Sequence, residues 1–283
     1  MLTIKEVLLK SSDFFASKGI DSPRLDAELL MGHALRMSRI QIYMNFDKPL
    51  TEDELTCIRG FVKRRSNREP IAYIIEEKGF YKFDFTIVPG VLCPRPDTET
   101  IIEVANHWIP KDRDYFICDV GSGSGCIGLS LLLEHPNARL YATDISESAL
   151  RCTKLNIKRH NLMARAAPLK GPFLQPIPLE RPIDLIVSNP PYIPTSEIEG
   201  LAPEVANHEP RLALDGGQDG LDCYRALIQQ AAPRIRDGII VEIGLGQESA
   251  VADLMKDAGL IDIELHNDLT DRVRIVSGRK PSI

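Results

Sequence analysis

The stretch Tyr115-Phe116-Ile117-Cys118-Asp119-Val120-Gly121-Ser122-Gly123-Ser124-Gly125 decides the fold. Its first six residues have the length and composition of a buried parallel strand. They run straight into three glycines at alternate positions, and a helical pattern starts near Cys126. Strand, glycine loop, helix is the nucleotide-binding corner of a Rossmann-like α/β sheet, where glycine lets the backbone turn tightly and approach a ligand. The dinucleotide fingerprint G-x-G-x-x-G wants glycine where Cys126 stands, and no Lys-Ser/Thr pair follows the loop, so a triphosphate P-loop is excluded. The next strand, Leu140-Tyr141-Ala142-Thr143, ends in Asp144, an acidic residue placed to take both hydroxyls of a ribose.

A second apolar run, Ile183-Asp184-Leu185-Ile186-Val187-Ser188, ends in Asn189-Pro190-Pro191-Tyr192. Two prolines stop a strand, because neither donates to a ladder and each fixes its own φ. The chain therefore leaves the sheet at a rigid corner past a strand's carboxyl end, the edge where ligands sit in open α/β sheets. The Asn189 side-chain oxygen and the Pro190 carbonyl can both face outward as acceptors, with Tyr192 as a flat face beside them. That set suits a planar group carrying an NH2, such as an amide or an exocyclic base amine. An ordinary Asn-Pro turn with a core tyrosine is the plain alternative.

Toward the N-terminus, Thr3-Ile4-Lys5-Glu6 reads as a capping box opening a helix with Val7, Leu8, Phe14 and Phe15, closed at Gly19. Ser22-Pro23 is an N-cap and first-turn proline before Leu25, Leu29, Leu30 and Leu35. Thr51-Glu52-Asp53-Glu54 is a second capping box, for a helix running to about Asn67. Residues 1–70 thus read as a small all-α bundle. Residues 71–93 read as a β-hairpin linker, from apolar Ile71–Ile75 through alternating Phe80–Val88 to the turn at Pro89-Gly90. Residues 94–283 alternate strands and helices, with a last strand pair at Ile261–His266 and Val273–Ser277, which predicts a mostly parallel sheet with an antiparallel edge. Residues 164–182 are Pro-rich and carry no clear pattern. The aperiodic stretch after Tyr192, to about Gly220, is long enough to be a substrate lid.

The 283 residues, 43% apolar and 26% charged, are those of a globular protein large enough for two domains. No apolar stretch reaches a membrane span, and the opening residues lack a signal-peptide pattern. Six scattered cysteines without a CxxC pair argue against a zinc site or a disulfide framework and suit a reducing cytoplasm. Net charge is −6, with 14 Lys+Arg against 13 Asp+Glu in residues 1–94 and 20 against 27 in the remainder. An acidic second half is a poor grip for phosphates, so a protein or small-molecule partner is expected rather than nucleic acid. Arg59, Lys63, Arg64, Arg65 and Arg68 cluster at one helix end. They read as a solvated charge run or as a docking face for an acidic protein surface or RNA.

The G-x-G-x-G loop after Asp119 resembles the first motif of S-adenosylmethionine-dependent methyltransferases. The chain as a whole resembles the HemK/PrmC family of peptide-chain release factor glutamine-N5 methyltransferases. The matches are Ser22–Leu30, Arg68–Ile74, Pro94-Arg95-Pro96-Asp97-Thr98-Glu99, the glycine loop, Asn189–Tyr192, and Glu209-Pro210-Arg211-Leu212-Ala213-Leu214-Asp215-Gly216-Gly217. The NPPY corner is shared with nucleic-acid amino methyltransferases; the RPDTE and EPRLALDGG stretches are far more specific. The resemblance implies a class I methyltransferase sheet behind a helical substrate-docking domain, S-adenosylmethionine as cofactor, and release factors carrying a Gly-Gly-Gln motif as partners. It implies that Gly121, Ser122, Gly123, Ser124, Gly125 and Asp144 hold the cofactor, and that Asn189, Pro190, Pro191 and Tyr192 hold the glutamine amide. The family usually carries an Asp in a D-x-F setting against the adenine. Here the run is Lys170-Gly171-Pro172-Phe173, with Gly171 in the acidic slot, so backbone or Pro172 packing is expected to replace that contact.

The expected chemistry is methyl transfer to the side-chain nitrogen of a glutamine. Asn189 Oδ1 and the Pro190 carbonyl would accept its two N–H bonds and aim it, while Tyr192 packs on the amide plane. No strong base is needed, because the proton can leave after transfer, and the six dispersed histidines form no pairing motif. The competing readings are an RNA or DNA amino methyltransferase using the same corner, a non-catalytic release-factor-binding module, and a dinucleotide dehydrogenase, which the glycine spacing opposes. The chain's own Gly216-Gly217-Gln218 reads as turn chemistry rather than as a substrate.

Overall fold

The computed structural model describes residues 1–281. Helices α1 (Ile4–Ser17), α2 (Pro23–Leu35), α3 (Arg39–Met44), α4 (Glu52–Ser66) and α5 (Ile71–Ile75) open the chain, followed by a hairpin of β1 (Glu77–Phe80) and β2 (Phe83–Thr86). Next come α6 (Glu99–Trp108), β3 (Tyr115–Val120), α7 (Cys126–Glu134), β4 (Ala138–Asp144), α8 (Glu147–Arg159), β5 (Ala166–Lys170) and β6 (Ile183–Ser188). The rest is α9 (Pro203–His208), α10 (Asp222–Ala231), β7 (Ile235–Glu242), α11 (Glu248–Asp257), β8 (Ile261–Asn267) and β9 (Val273–Arg279). Two compact units result: residues 1–77 with 202–208, and residues 78–201 with 209 onward. No described helix is long and apolar enough to cross a membrane.

The first unit is helical. Thr3 with Glu6 and Thr51 with Glu54 form reciprocal capping boxes, as does Ser38 with Gln41. Ser22 makes no side-chain cap, so α2 starts on the fixed φ of Pro23 alone. Ile4, Leu8, Phe15, Leu30, Met31 and Ile58 form the core. The basic cluster is largely committed inward. Arg65, 6% exposed, donates to Asp26 Oδ2 at 2.7 Å and to Glu204 Oε1 at 2.9 Å. Arg68 shares Glu204 and reaches the Lys18 and Gly19 carbonyls, while Arg64 pairs with Glu69. Three of the five cations therefore hold this unit together.

The second unit is one seven-stranded sheet in the order β5-β4-β3-β6-β7-β9-β8. Pairs from β5 through β7 are parallel, and β9 joins β7 and β8 antiparallel. Every residue of β6 is buried, as a central parallel strand requires. From β3 the chain winds outward through β4 to β5, and from β6 in the opposite direction. The crevice between the carboxyl ends of β3 and β6 is therefore the topological switch point. Val120 pairs with Ser188 in that register, and the Ser188 hydroxyl donates to the Val120 carbonyl at 2.7 Å. Gly121 and Asn189 consequently start from adjacent strand ends.

Four local expectations change. Ile71–Ile75 is a helical turn entered from Pro70, and the hairpin strands occupy only 77–86. The Pro-rich stretch holds β5, where Pro168 is tolerated because that strand pairs with β4 alone. The helix that the sequence pattern predicts over Leu221–Ile235 is α10, which ends at Ala231, two residues before Pro233, which cannot continue it. The aperiodic stretch after Tyr192 contains α9, and its two ends are paired to each other. Ile193 N donates to Leu214 O, Gly216 N to Ile193 O, and Thr195 N to Gly217 O, at 2.9–3.0 Å.

Candidate active site

A cavity of about 250 Å3 lies at the switch point. Its floor is the glycine loop, where Gly121, Gly123 and Gly125 all adopt positive φ. A Cβ at Gly125 would lie 3.0 Å from Leu129 Cδ1 and 3.1 Å from Thr153 Cγ2, so this third glycine is needed for close helix packing. Asp144 caps one side. Its Oδ2 accepts from Gly123 N at 3.0 Å and its Oδ1 from Ser146 N at 2.8 Å. Burial pushes the Asp144 carboxyl above its usual range against those two bonds. Below the loop, Asp119 is fully buried and accepts from Gly128 N at 2.9 Å through Oδ2, while Oδ1 has no partner. Burial pushes its pKa up to about 7.

The Lys170–Phe173 turn supplies another wall, with Pro172 and Phe173 lining the cavity. Gly171 has φ +154°, and a Cβ there would sit 3.2–3.3 Å from the Pro176 ring. Its N–H donates to the Asp144 carbonyl at 3.0 Å. Backbone conformation and the tight approach of the Pro176 ring therefore favour glycine at this position. An apolar shelf of Ile145, Pro172 and Phe173 next to the half-buried Asp144 carboxyl fits an adenosine-type cofactor.

The opposite wall is the NPPY corner. Asn189, Pro190 and Pro191 line the cavity. Asn189 Nδ2 donates to Thr98 Oγ1 at 3.1 Å, which leaves Oδ1 as the free end. Tyr192 is half-buried and does not line the cavity. Its hydroxyl donates to Glu242 Oε1 at 3.2 Å, and its carbonyl accepts from Gln247 Nε2 at 2.9 Å. The remaining wall comes from the segment after the corner, with Pro210, Leu212, Ala213 and Asp215. Arg95 Nη2 donates to both oxygens of buried Glu209, at 2.8 and 2.7 Å. That contact joins the RPDTE and EPRLALDGG stretches, 114 residues apart, across one mouth.

The structure thus gathers Gly121, Ser122, Gly123, Ser124, Asp144, Pro172 and Asn189–Pro191 around one cavity, while Gly125 and Tyr192 do not line it. Sequence reading gave no role to Thr98, Glu242 or Gln247. One signal was present for Glu242: an acid inside the apolar run Gly238-Ile239-Ile240-Val241-Glu242-Ile243 is rare without a partner or a purpose. Burial pushes this carboxyl up to about 7, opposed by Thr98, Arg274 and Tyr192.

Two family models match the chain, the PrmC N-terminal domain over residues 6–75 and the methyltransferase small domain over residues 90–212. The release factor glutamine methyltransferase of Geobacter sulfurreducens is 41% identical over 279 residues, covering 98% of this chain and 96% of the relative. The chain belongs to the release factor glutamine methyltransferases. The Caulobacter vibrioides member of the family is 37% identical over 99% of this chain and 97% of its own length. Among solved structures, the hMettl16 catalytic domain in complex with an RNA hairpin superposes with a TM-score of 0.54 at 16% identity, over 69% of this chain and 75% of that one. The T. thermophilus 16S rRNA N2 methyltransferase RsmC gives 0.51 at 16% identity, over 72% of this chain and 50% of its own. At that identity these two establish the class I methyltransferase fold and nothing about substrate.

Proposed function

We propose that the enzyme methylates the side-chain amide nitrogen of the glutamine in the Gly-Gly-Gln motif of peptide-chain release factors, with S-adenosylmethionine as donor. The observation that carries the reading is the Asn189 amide, tied back by its nitrogen to Thr98 and open at its oxygen beside the cavity lined by the glycine loop and Asp144. When bound, the cofactor supplies an electrophilic methyl on a sulfonium, a good leaving group. The residues of this chain have a harder partner to manage, because an amide nitrogen's lone pair is delocalised into its carbonyl.

In this reading the glycine loop and Asp144 hold the cofactor, with Asp144 toward the ribose and Pro172 against the adenine. Asn189 Oδ1 and the Pro190 carbonyl accept the two N–H bonds of the glutamine. That orients the nitrogen and stabilises positive charge developing on it. Tyr192 holds the corner through its hydroxyl, which donates to Glu242, and leaves its ring face for the amide plane. The proton leaves after transfer, so no base is required at the nitrogen.

The test is mass spectrometry of a recombinant release factor after incubation with enzyme and S-adenosylmethionine. A gain of one methylene on the glutamine of the Gly-Gly-Gln peptide, absent with Asn189→Ala, supports the reading. Methylation of RNA instead, with the release factor unchanged, overturns it.

A further inference from the structure

Tyr192 is fastened at both ends. Strands β6 and β7 run parallel with Ser188 beside Val241, so Glu242 and the turn after it come alongside the NPPY corner. At the ring tip, the Tyr192 hydroxyl donates to Glu242 Oε1 at 3.2 Å. At the backbone, the Tyr192 carbonyl accepts from Gln247 Nε2 at 2.9 Å. Glycines close the remaining sides. A Cβ at Gly244 would lie 3.1 Å from Tyr192 Cδ2, one at Gly220 2.3 Å from the Tyr192 carbonyl oxygen, and one at Gly216 2.8 Å from its Cα. Ring tip, ring edge and backbone are therefore each held by a different contact.

This hold is costly to build. Glu242 is the last residue of β7 and is 1% exposed. A carboxyl there loses its hydration, and among the described residues its Oε2 has no hydrogen-bond partner. Tyr224, fully buried, donates to the Glu242 carbonyl at 2.8 Å and so fixes the end of the strand. Two apolar side chains of similar size would fill the same space without burying an acid. A polar pair kept there in spite of that cost fits a side chain whose placement has to be exact to within a fraction of an ångström.

We infer that Glu242 and Gly244 are positioning residues that hold the Tyr192 ring in one pose against the substrate amide. The inference rests on the roles given above to Asn189, Pro190 and Tyr192. Two acceptors fix the amide within its plane but leave it free to tilt about the line that joins them. A flat ring against one face removes that tilt, and in-line transfer to the nitrogen depends on it. Tyr192→Phe keeps the ring and removes its bond to Glu242. Glu242→Leu removes the acceptor, Glu242→Gln keeps one, and Gly244→Ala presses on the ring edge.

Steady-state kinetics with a release factor as substrate, calorimetric titration of S-adenosylmethionine, and NMR of the tyrosine hydroxyl protons test it together. Tyr192→Phe, Glu242→Leu and Gly244→Ala are each expected to lower kcat/KM for the release factor at least about fivefold while the cofactor Kd stays within about twofold. Glu242→Gln is expected to recover most of the Glu242→Leu loss. The double variant Tyr192→Phe with Glu242→Leu is expected to lose no more than the worse of the two singles, because both remove one contact. The Tyr192 hydroxyl proton, assigned by its disappearance in Tyr192→Phe, is expected to exchange slowly in the wild type and fast in Glu242→Leu. That of Tyr224, bound to a backbone carbonyl, is expected to stay slow in both. A Tyr192→Phe enzyme within about twofold of wild type, losses that multiply in the double variant, or cofactor affinity falling in parallel with turnover overturns the inference. A Tyr192 hydroxyl proton that exchanges fast in the wild type also overturns it. If Glu242→Leu does not fold, Tyr192→Phe and Gly244→Ala decide on the same kinetic criteria. If the wild type leaves the release factor unmethylated, the functional reading fails while the hydroxyl proton still reports on the hold.

Discussion

Gln247 Nε2 donates to the carbonyl oxygen of Tyr192 at 2.9 Å, and so fastens the exit of the NPPY corner to the start of α11. The same side chain accepts from Gly244 N at 3.0 Å through Oε1 and reaches the Gly220 carbonyl at 3.3 Å. One amide thus satisfies three backbone groups around the corner. Gln247→Leu keeps much of the volume and removes all three bonds. Leaving buried backbone groups unpaired is expected to destabilise the protein by about 2 kcal/mol, read by denaturant unfolding. Faster hydrogen exchange across residues 192–220 is the accompanying sign. Unchanged exchange there would show that the clamp does not hold the segment.

Gly216 sits against that corner so closely that a Cβ would lie 2.8 Å from both Tyr192 Cα and the Gly220 oxygen. Gly216→Ala must move backbone, so it is expected to lower Tm by several degrees, with a loss of roughly 1–3 kcal/mol. The neighbouring Gln218 is exposed, and the turn before it is tied down by Asp215 Oδ1, which accepts from Gly217 N at 3.1 Å. The chain's own Gly-Gly-Gln is a structural turn. Incubation with S-adenosylmethionine alone should leave the mass of the Gln218 peptide unchanged.

The sheet was legible from sequence because its central strands are short apolar runs stopped by glycine or proline, as at Val120-Gly121 and Ser188-Asn189-Pro190. Local chemistry wrote those boundaries. The misread places are those where context prevailed. Ile71–Ile75 is apolar enough for a strand, yet Pro70 starts a helical turn and Glu76, at φ 58°, closes it. Strand β5 contains a proline and could be accepted only once its edge position was known. In the site, the loop, Asp144 and NPPY carry their chemistry in their own spacing. Thr98 and Glu242 do not, because their meaning comes from contacts 91 residues apart, Thr98 to Asn189, and 50 apart, Tyr192 to Glu242.

The two walls of the cavity should separate in kinetics. Asn189→Ala removes an acceptor that strengthens as charge develops on the nitrogen, and is expected to lower kcat roughly a hundredfold with little change in cofactor Kd. Asp144→Ala removes the carboxyl that braces Gly123 N and Ser146 N, and is expected to weaken cofactor binding first. Titration calorimetry beside initial rates makes the comparison. Equal losses of turnover and cofactor affinity in Asn189→Ala would remove it from the substrate side.

Asp119 gives the protein a pH signature. It is fully buried, has one unpartnered oxygen, and is pushed by burial up to about 7. In the unfolded chain the same carboxyl titrates near its ordinary value of about 4. The folded state therefore holds this proton more tightly between pH 4 and 7. Its contribution to stability is fully present below the lower value and is lost as pH rises through the upper one. Across pH 6 to 8 this group alone should lower the unfolding free energy by about 1 kcal/mol. Asp119→Asn cannot ionise, so the difference in stability between the variant and wild type should shift in the variant's favour as pH is raised over that interval. Glu242, also raised to about 7, contributes in the same direction in both proteins and cancels in the comparison. Urea unfolding of the pair at pH 6, 7 and 8 is the measurement. A difference that stays flat across the three would mean that Asp119 keeps its charge throughout and that the Gly128 N–H, with the loop around it, stabilises the carboxylate despite its burial.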